Sequence, residues 1–250
     1  MEIFKRDKKQ KRKDKKVAKN LSSQHENVLS KDSSFIVKEA YKSLRTNIMF
    51  SLSDDGCKTI AVSSALASEG KSINCLNLAI SFAETGVKVL LIDCDLRRPN
   101  IARLLNEKAS PGFSNVLVHR NSLSDVIRHT PYKNLDVIMT GDLAPNPVEL
   151  LGSKTMEKVL EELARTYDYI FLDTPPVNLV TDTSILSKLV SGIILIVRQN
   201  ETEKGALLYA VNQLKFVGAK ILGFVLNGAS EELGQGAYKY KEYERKSHND

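Results

Sequence analysis

Three groups of residues have types and spacings that could do chemistry. Ala65 to Ser72 (ALASEGKS) ends in the Gly-Lys-Ser of a phosphate-binding loop, between an apolar β-rich run and a helix-patterned segment. In that setting the backbone N–H groups of Ser68, Glu69, Gly70, Lys71 and Ser72 would face phosphate oxygens with a helix N-terminus behind them. Lys71 would neutralise β/γ charge and the Ser72 hydroxyl would ligate Mg²⁺. A bare GKS tripeptide also occurs in plain strand-to-helix turns, and the flanking strand and helix weigh against that reading. Asp93 and Asp95, in LLIDCDLRRP, close the next apolar run. Two carboxylates at i and i+2 share a strand face and can aim at one Mg²⁺, or at a metal and an attacking hydroxyl. As idle core residues they would be costly to bury. Asp173 ends YIFLD and is followed by Thr174, Pro175 and Pro176, which is the position of a strand-end carboxylate that serves Mg²⁺ beside a rigid loop.

These residues need a scaffold that gathers strand ends. Apolar residues at 37, 40, 41, 44, 48 and 52 predict a helix over 37–52. Strands are predicted at 58–64, 87–94, 135–139, 169–173, 192–197 and 220–226, with helices at 72–84, 153–167 and 203–216. Continuous apolar strands alternating with helices imply an α/β class, a doubly wound and mostly parallel sheet of the P-loop NTPase type. Ligands of such sheets collect at the C-terminal strand ends, where the three carboxylates fall. Arg97 and Arg98 offer forks for phosphate or carboxylate, with a plain surface role equally open. Asn227, after the last strand, reads as a turn residue or as a contact for the adenine edge.

The 250 residues suffice for one well-filled domain. No apolar run approaches the roughly 20 residues of a spanning helix, and the basic N-terminus lacks the apolar stretch of a secretory signal, so a cytosolic location is expected. Cys57, Cys75 and Cys94 form no CxxC or Cys/His cluster and read as small core residues, which also argues against an iron–sulfur carrier on this fold. Residues 1–20 hold ten Lys/Arg against Glu2, Asp7 and Asp14, a local +7 that leaves −1 for the rest of a chain whose net charge is +6. Such an arm cannot bury a core of its own. It is expected to be a solvated tail or to sit on an anionic lipid leaflet or acidic partner. With Phe4 as its single aromatic residue, nucleic acid is not expected. The expected division is a basic disordered arm at 1–34, a nucleotide-binding domain at 35–227 and a flexible tail at 228–250. In that tail Tyr238, Tyr240 and Tyr243 cluster among charged residues, unlike Tyr167, Tyr169 and Tyr209, whose apolar surroundings predict burial. An exposed cluster of phenols can enter a neighbour's active site as phosphoacceptors.

From about Phe35 onward the sequence resembles the bacterial protein tyrosine kinases of capsule and exopolysaccharide systems. The motifs that carry the resemblance are EAYKSLRTN at 39–47, the loop at 65–72, LLIDCDLRRP at 90–99, NPVELL at 146–151, YIFLDTPPV at 169–177 and the closing AYKYKEYERK. The resemblance implies that Lys71 and Ser72 hold phosphate and metal, that Asp93 orients or deprotonates the tyrosine hydroxyl, and that Asp95 and Asp173 support Mg²⁺ from behind its direct ligands. It also implies autophosphorylation of the tail between subunits, assembly into a ring-like homo-oligomer through an ExxRxxR helix, and activation by the cytoplasmic tail of a transmembrane polysaccharide co-polymerase. The chain would thereby be recruited to the inner face of the membrane. Glu39, Lys42 and Arg45 occupy the helix positions, with Lys42 in place of an arginine and therefore without its bidentate fork. Ala67 and Ser68 replace a usual Pro-Gly. Leu66 stands where the partition and division-site ATPases carry an extra lysine, which argues against that branch. The competing expectation is a nucleotide-switched scaffold on a membrane polysaccharide-assembly complex, for which tail phosphorylation is incidental.

Overall fold

The computed structural model describes residues 27–52 and 56–229. The basic arm up to residue 26 and the tail tyrosines Tyr238, Tyr240 and Tyr243 lie outside the described residues. Helix α1 (Phe35–Phe50) leads into β1 (Lys58–Ser64), α2 (Lys71–Ala83) and β2 (Val89–Asp93). Short helices α3 (Ile101–Leu104), α4 (Phe113–Leu117) and α5 (Leu123–Val126) precede β3 (Ile127–His129) and β4 (Leu135–Ile138). Then come α6 (Pro147–Leu151), α7 (Lys154–Leu163), β5 (Tyr169–Asp173), α8 (Asp182–Leu186), β6 (Gly192–Arg198), α9 (Lys204–Phe216) and β7 (Ile221–Asn227).

The strands form one seven-stranded sheet in the order β3-β4-β2-β5-β1-β6-β7, parallel except for the antiparallel β3–β4 pair. Alternate residues of the central strands serve two cores. Ile60 and Val62 of β1, Val89 and Leu91 of β2, and Phe171 of β5 face the side covered by α1, α2 and α3. Ala61, Leu90, Ile92, Ile170 and Leu172 face the side covered by α4 to α9. Both faces are dry, which is why these strands read as unbroken apolar runs. The ring of Phe82, on α2, packs 4.6 Å from that of Tyr169 and 5.2 Å from that of Phe171, fastening α2 over the sheet centre.

Three expectations change. The boundary at residue 34 left Val28 and Leu29 in the arm, whereas both are buried in the α2-side core, and the Leu29 N–H donates to Asn77 Oδ1 at 2.7 Å. Tyr209 is 60% exposed, because α9 turns Ala206, Leu207, Ala210, Val211 and Leu214 toward the sheet and leaves 208 and 209 on its outer face. Strand β2 stops at Asp93, so Asp95 lies in the loop beyond it and does not share a strand face with Asp93. Among the described residues no helix is long and apolar enough to cross a membrane.

Candidate active site

The chain builds outward from β1 to β2 and β4, returns through β5, and continues on the other side with β6 and β7. The loop after β1 therefore opens at the point where the strand order reverses, the crevice in which open α/β sheets hold ligands. Helix α2 begins at Lys71 because Gly70 turns the chain with φ +88°. A Cβ on Gly70 would sit 2.2 Å from Asn227 Nδ2, so position 70 accepts glycine alone on both counts. The first-turn N–H groups of α2 point into the crevice without helical acceptors, a ready site for an anion.

Ser68 adopts φ +68° in this loop although it is not glycine. The left-handed region costs a side-chain-bearing residue about 1–2 kcal/mol, and Ser68 is exposed, so its side chain offsets little of that. Ser68→Gly is expected to raise the free energy of unfolding by about 0.5–1 kcal/mol, read from denaturant midpoints at constant slope.

Lys71 is the hub. Its ammonium lies 2.8 Å from Asp95 Oδ2 and 3.3 Å from Asp173 Oδ1, and donates to Ser72 Oγ at 3.3 Å. Burial opposes its charge, but Asp173 and Asp95 outweigh that and hold it charged well above the usual lysine range. Asp93 and Asp173 are direct register partners on adjacent parallel strands and both are fully buried. The Asp93 carboxylate caps α3, accepting from the N–H groups of Asn100 at 3.1 Å and Ile101 at 3.0 Å, and it also accepts from Asp95 N–H at 3.2 Å. Burial first, and the charge of Asp173 second, push the Asp93 carboxyl up to about 7. Asp173 is likewise raised by burial, against the pull of Lys71 and of the Ser72 hydroxyl. Asp95 Oδ1 accepts from the N–H groups of Arg97 at 3.3 Å and Arg98 at 2.9 Å, which leaves Oδ2 for Lys71. Lys71, Asp95 and Asp173 thus meet directly, and Asp93 stands behind them at the strand end.

Several contacts at the site join residues too far apart in sequence for local pattern to reveal. Glu69, expected to offer only its backbone, buries its carboxylate and accepts from Leu66 N–H at 2.8 Å and from the Thr202 hydroxyl, pinning the loop to the end of β6. Asn227 donates to the Glu69 carbonyl at 2.9 Å, so it braces the same loop from β7. Arg97 forks onto the fully buried Asp182 with bonds of 3.0 and 3.1 Å, tying the loop after β2 to α8. The residues expected in oligomerisation divide. Glu39 and Lys42 pair with each other at 2.7 Å on the outer side of α1, whereas Arg45 turns inward to the carbonyl of Ser81 and, at 3.2 Å, to its hydroxyl. A cleft of about 1570 Å³ opens over the site, lined among others by Lys71, Ser72, Asp95, Arg98, Arg198 and Asn227.

A phosphate loop at the switch point of a mostly parallel sheet, with acidic strand ends around its lysine, defines a P-loop nucleotide-binding protein. Residues 57–218 accordingly match the family model described as an AAA domain. The putative tyrosine-protein kinase CapB of Staphylococcus aureus is 33% identical over 204 residues, covering 82% of this chain and 90% of the relative. The tyrosine-protein kinase YwqD of Bacillus subtilis is 38% identical over 190 residues, 76% of this chain and 80% of the relative. Among solved structures, the chimerical protein CapA2B2 aligns with a TM-score of 0.76 at 32% identity, over 81% of this chain and 88% of that one. The septum site-determining protein MinD of Pyrococcus horikoshii, complexed with Mg-ADP, aligns with a TM-score of 0.59 at 26% identity, over 70% and 72%. The chain belongs to the bacterial tyrosine-protein kinases, enzymes that pass a phosphoryl group from ATP to protein tyrosine.

Proposed function

We propose that this kinase phosphorylates Tyr238, Tyr240 and Tyr243 in the tail of a neighbouring copy, and that the charge added there regulates capsular or exopolysaccharide synthesis or export. The observation that carries the proposal is the meeting of Lys71, which lines an open cleft together with Asp95, with Asp95 and the fully buried Asp173. One buried cation among three buried carboxylates leaves an excess of negative charge that a divalent cation would balance. Among the described residues no three His, Cys, Asp or Glu side chains form a ready-made metal cage. Mg²⁺ in phosphoryl-transfer sites takes one or two protein ligands beside phosphate oxygens and water. Ser72, Asp95 and Asp173 are the residues proposed to serve it. Magnesium would supply charge neutralisation at the β- and γ-phosphates.

The chain's own residues then divide the work. The N–H groups of Ser68, Glu69, Gly70, Lys71 and Ser72 cradle the phosphates, and the Lys71 ammonium, which balances the carboxylates when no nucleotide is bound, meets the β/γ oxygens. Asp93 is the carboxylate assigned to orient the incoming phenol and take its proton as the phenolic oxygen bonds to the γ-phosphorus and the bond to the ADP oxygen breaks; for that step its oxygens, held here by the N–H groups of Asp95, Asn100 and Ile101, must open toward the cleft. Each phosphotyrosine adds about −1.5 to −2 charge, which repels neighbouring tails and loosens the assembly. The Mg-ADP complex of MinD supports nucleotide and magnesium binding on this fold. The resemblance of the sequence motifs to the kinases of capsule and exopolysaccharide systems supports a polysaccharide system, with a transmembrane co-polymerase or adaptor as membrane partner. The basic arm would assist recruitment to the inner face of the membrane.

Mixing separates transfer between copies from transfer within one. A Lys71→Met chain with an intact tail, incubated with Mg-ATP, a candidate membrane adaptor and a wild-type chain truncated at residue 229, is expected to gain phosphotyrosine on its tail. An unmodified tail in that mixture, alongside a full-length wild-type chain that phosphorylates itself, would exclude the trans reaction.

A further inference from the structure

The helix α1 is tied to the phosphate loop by side chains whose hydrogen bonds run in one direction. Asn77 Nδ2 donates to the Tyr41 hydroxyl at 3.0 Å, Tyr41 donates to Asn74 Oδ1 at 3.0 Å, and Asn74 Nδ2 donates to the carbonyl of Gly70 at 2.9 Å. The direction is set at the far end, where Asn77 Oδ1 is taken by the Leu29 N–H at 2.7 Å and its Nδ2 also reaches the Asn27 carbonyl at 3.0 Å. With the Asn77 amide fixed as donor, Tyr41 must give its own proton to Asn74, and Asn74 must present its N–H groups to Gly70. Asn74 and Asn77 are almost fully buried, so an amide deprived of its partner is left poorly satisfied. Burial also raises the Tyr41 phenol above its usual range, which keeps the proton it donates.

The acceptor at the end of this chain matters for nucleotide. The Gly70 carbonyl and the Lys71 N–H belong to one planar peptide and point in opposite directions. The carbonyl is held by the Asn74 side chain and also by the Asn74 N–H at 3.1 Å. Fixing it away from the crevice aims the Lys71 N–H into it, at the place where a phosphate oxygen would sit. Gly70, at φ +88°, has the conformational freedom to rotate that peptide if it is not held. On α1 itself, Tyr41 and Arg45 are one turn apart and grip α2 at Asn74, Asn77 and Ser81, with the Glu39–Lys42 pair on the outer side of the same helix.

We propose that Tyr41 is a positioning residue for the phosphate loop: its hydroxyl orients Asn74, which sets the Gly70–Lys71 peptide, so the seat of α1 on α2 tunes affinity for the nucleotide phosphates. This rests on the reading of 65–72 as the nucleotide loop. A partner or second copy that shifts α1 would therefore change nucleotide affinity through this chain of hydrogen bonds.

The test is titration of the full chain with Mg-ADP, which needs neither kinase activity nor an adaptor. Tyr41→Phe keeps the ring and removes the hydroxyl, which accepts from Asn77 and donates to Asn74, and is expected to weaken Mg-ADP about tenfold. Asn74→Ala should weaken it to a similar extent, and the double variant no further, because both act through one peptide. In kinase assays the Tyr41→Phe change should appear in the KM for ATP and leave kcat within about twofold. Tyr167→Phe, which removes a hydroxyl bonded to Asp136 at 2.8 Å and remote from the loop, is the structural control and should leave Mg-ADP affinity unchanged. Tyr41→Phe binding within twofold of the wild type, or additive losses in the double variant, would overturn the inference. Failure of the wild type itself to bind Mg-ADP would instead bring down the nucleotide reading on which it rests.

Discussion

Lys71→Met is expected to abolish detectable phosphotyrosine, with a fall of at least about 10²-fold in transfer, the scale for losing one group that stabilises developing charge. The same substitution should also lower stability. Asp95 and Asp173 lose the cation that lies 2.8 and 3.3 Å away, in a pocket where both are almost fully buried. Breaking such a cluster from one side costs about 3–5 kcal/mol, because the remaining charges are left without compensation. A second substitution separates the two effects. Lys71→Met combined with Asp173→Asn removes one stranded charge and should recover part of the stability while recovering no activity. Thermal melts and phosphotyrosine immunoblots on the same preparations read both. Full activity in Lys71→Met would remove the lysine from the mechanism, and unchanged stability would mean that the acid cluster does not need it.

The second large effect is expected at Arg97. Asp182 has no exposed surface and both its carboxylate oxygens are taken by the Arg97 guanidinium. Arg97→Ala should destabilise the chain by about 3 kcal/mol, the lower end of the range for breaking a buried pair, since the guanidinium keeps partial access to water and the pair is correspondingly screened. Asp182→Ala should cost less, because Arg97 is 38% exposed and can turn to solvent. Arg97→Lys should restore only part of the loss, a point charge being unable to fill both positions of the fork. The ordering of three denaturation midpoints tests this, and equal losses in Arg97→Ala and Asp182→Ala would contradict it. Because Arg97 follows Asp95 by two residues and Asp182 opens α8, the pair also ties the acid-bearing loop to α8.

The strands were legible to the extent that both their faces are covered. β1 and β5 fall on the predicted residues 58–64 and 169–173, because unbroken apolar runs arise where helices lie on each side. β2 is shorter than the predicted 87–94, since the chain must leave the sheet after Asp93 for Asp95 to reach Lys71. β3, the three residues Ile127 to His129, escaped notice because a short, half-polar antiparallel edge strand has neither length nor alternation enough to stand out. The same division holds at the site. Lys71, Ser72, Asp93 and Asp173 are visible as strand-end and loop residues, because strand and loop boundaries are local features. The partners that orient them are not. Thr202 meets Glu69 across 133 residues, Asp182 meets Arg97 across 85, and Asn74 meets Tyr41 across 33. Nothing in the vicinity of Tyr41 distinguishes it from an ordinary core-facing residue on an amphipathic helix. Ser68 is a milder case. Its replacement of a glycine was visible in the sequence, but its φ of +68° follows from the loop closing around Glu69.

The most direct test of the central claim is tandem mass spectrometry of the full chain after coexpression with a candidate membrane adaptor, followed by incubation with Mg-ATP. The wild type should carry phosphate on Tyr238, Tyr240 and Tyr243, and a Lys71→Met, Asp93→Ala double variant should carry none. Tail phosphotyrosine at the wild-type level in the double variant would contradict the account, because the phosphoryl group would then have passed without the lysine and the carboxylate to which the transfer is assigned.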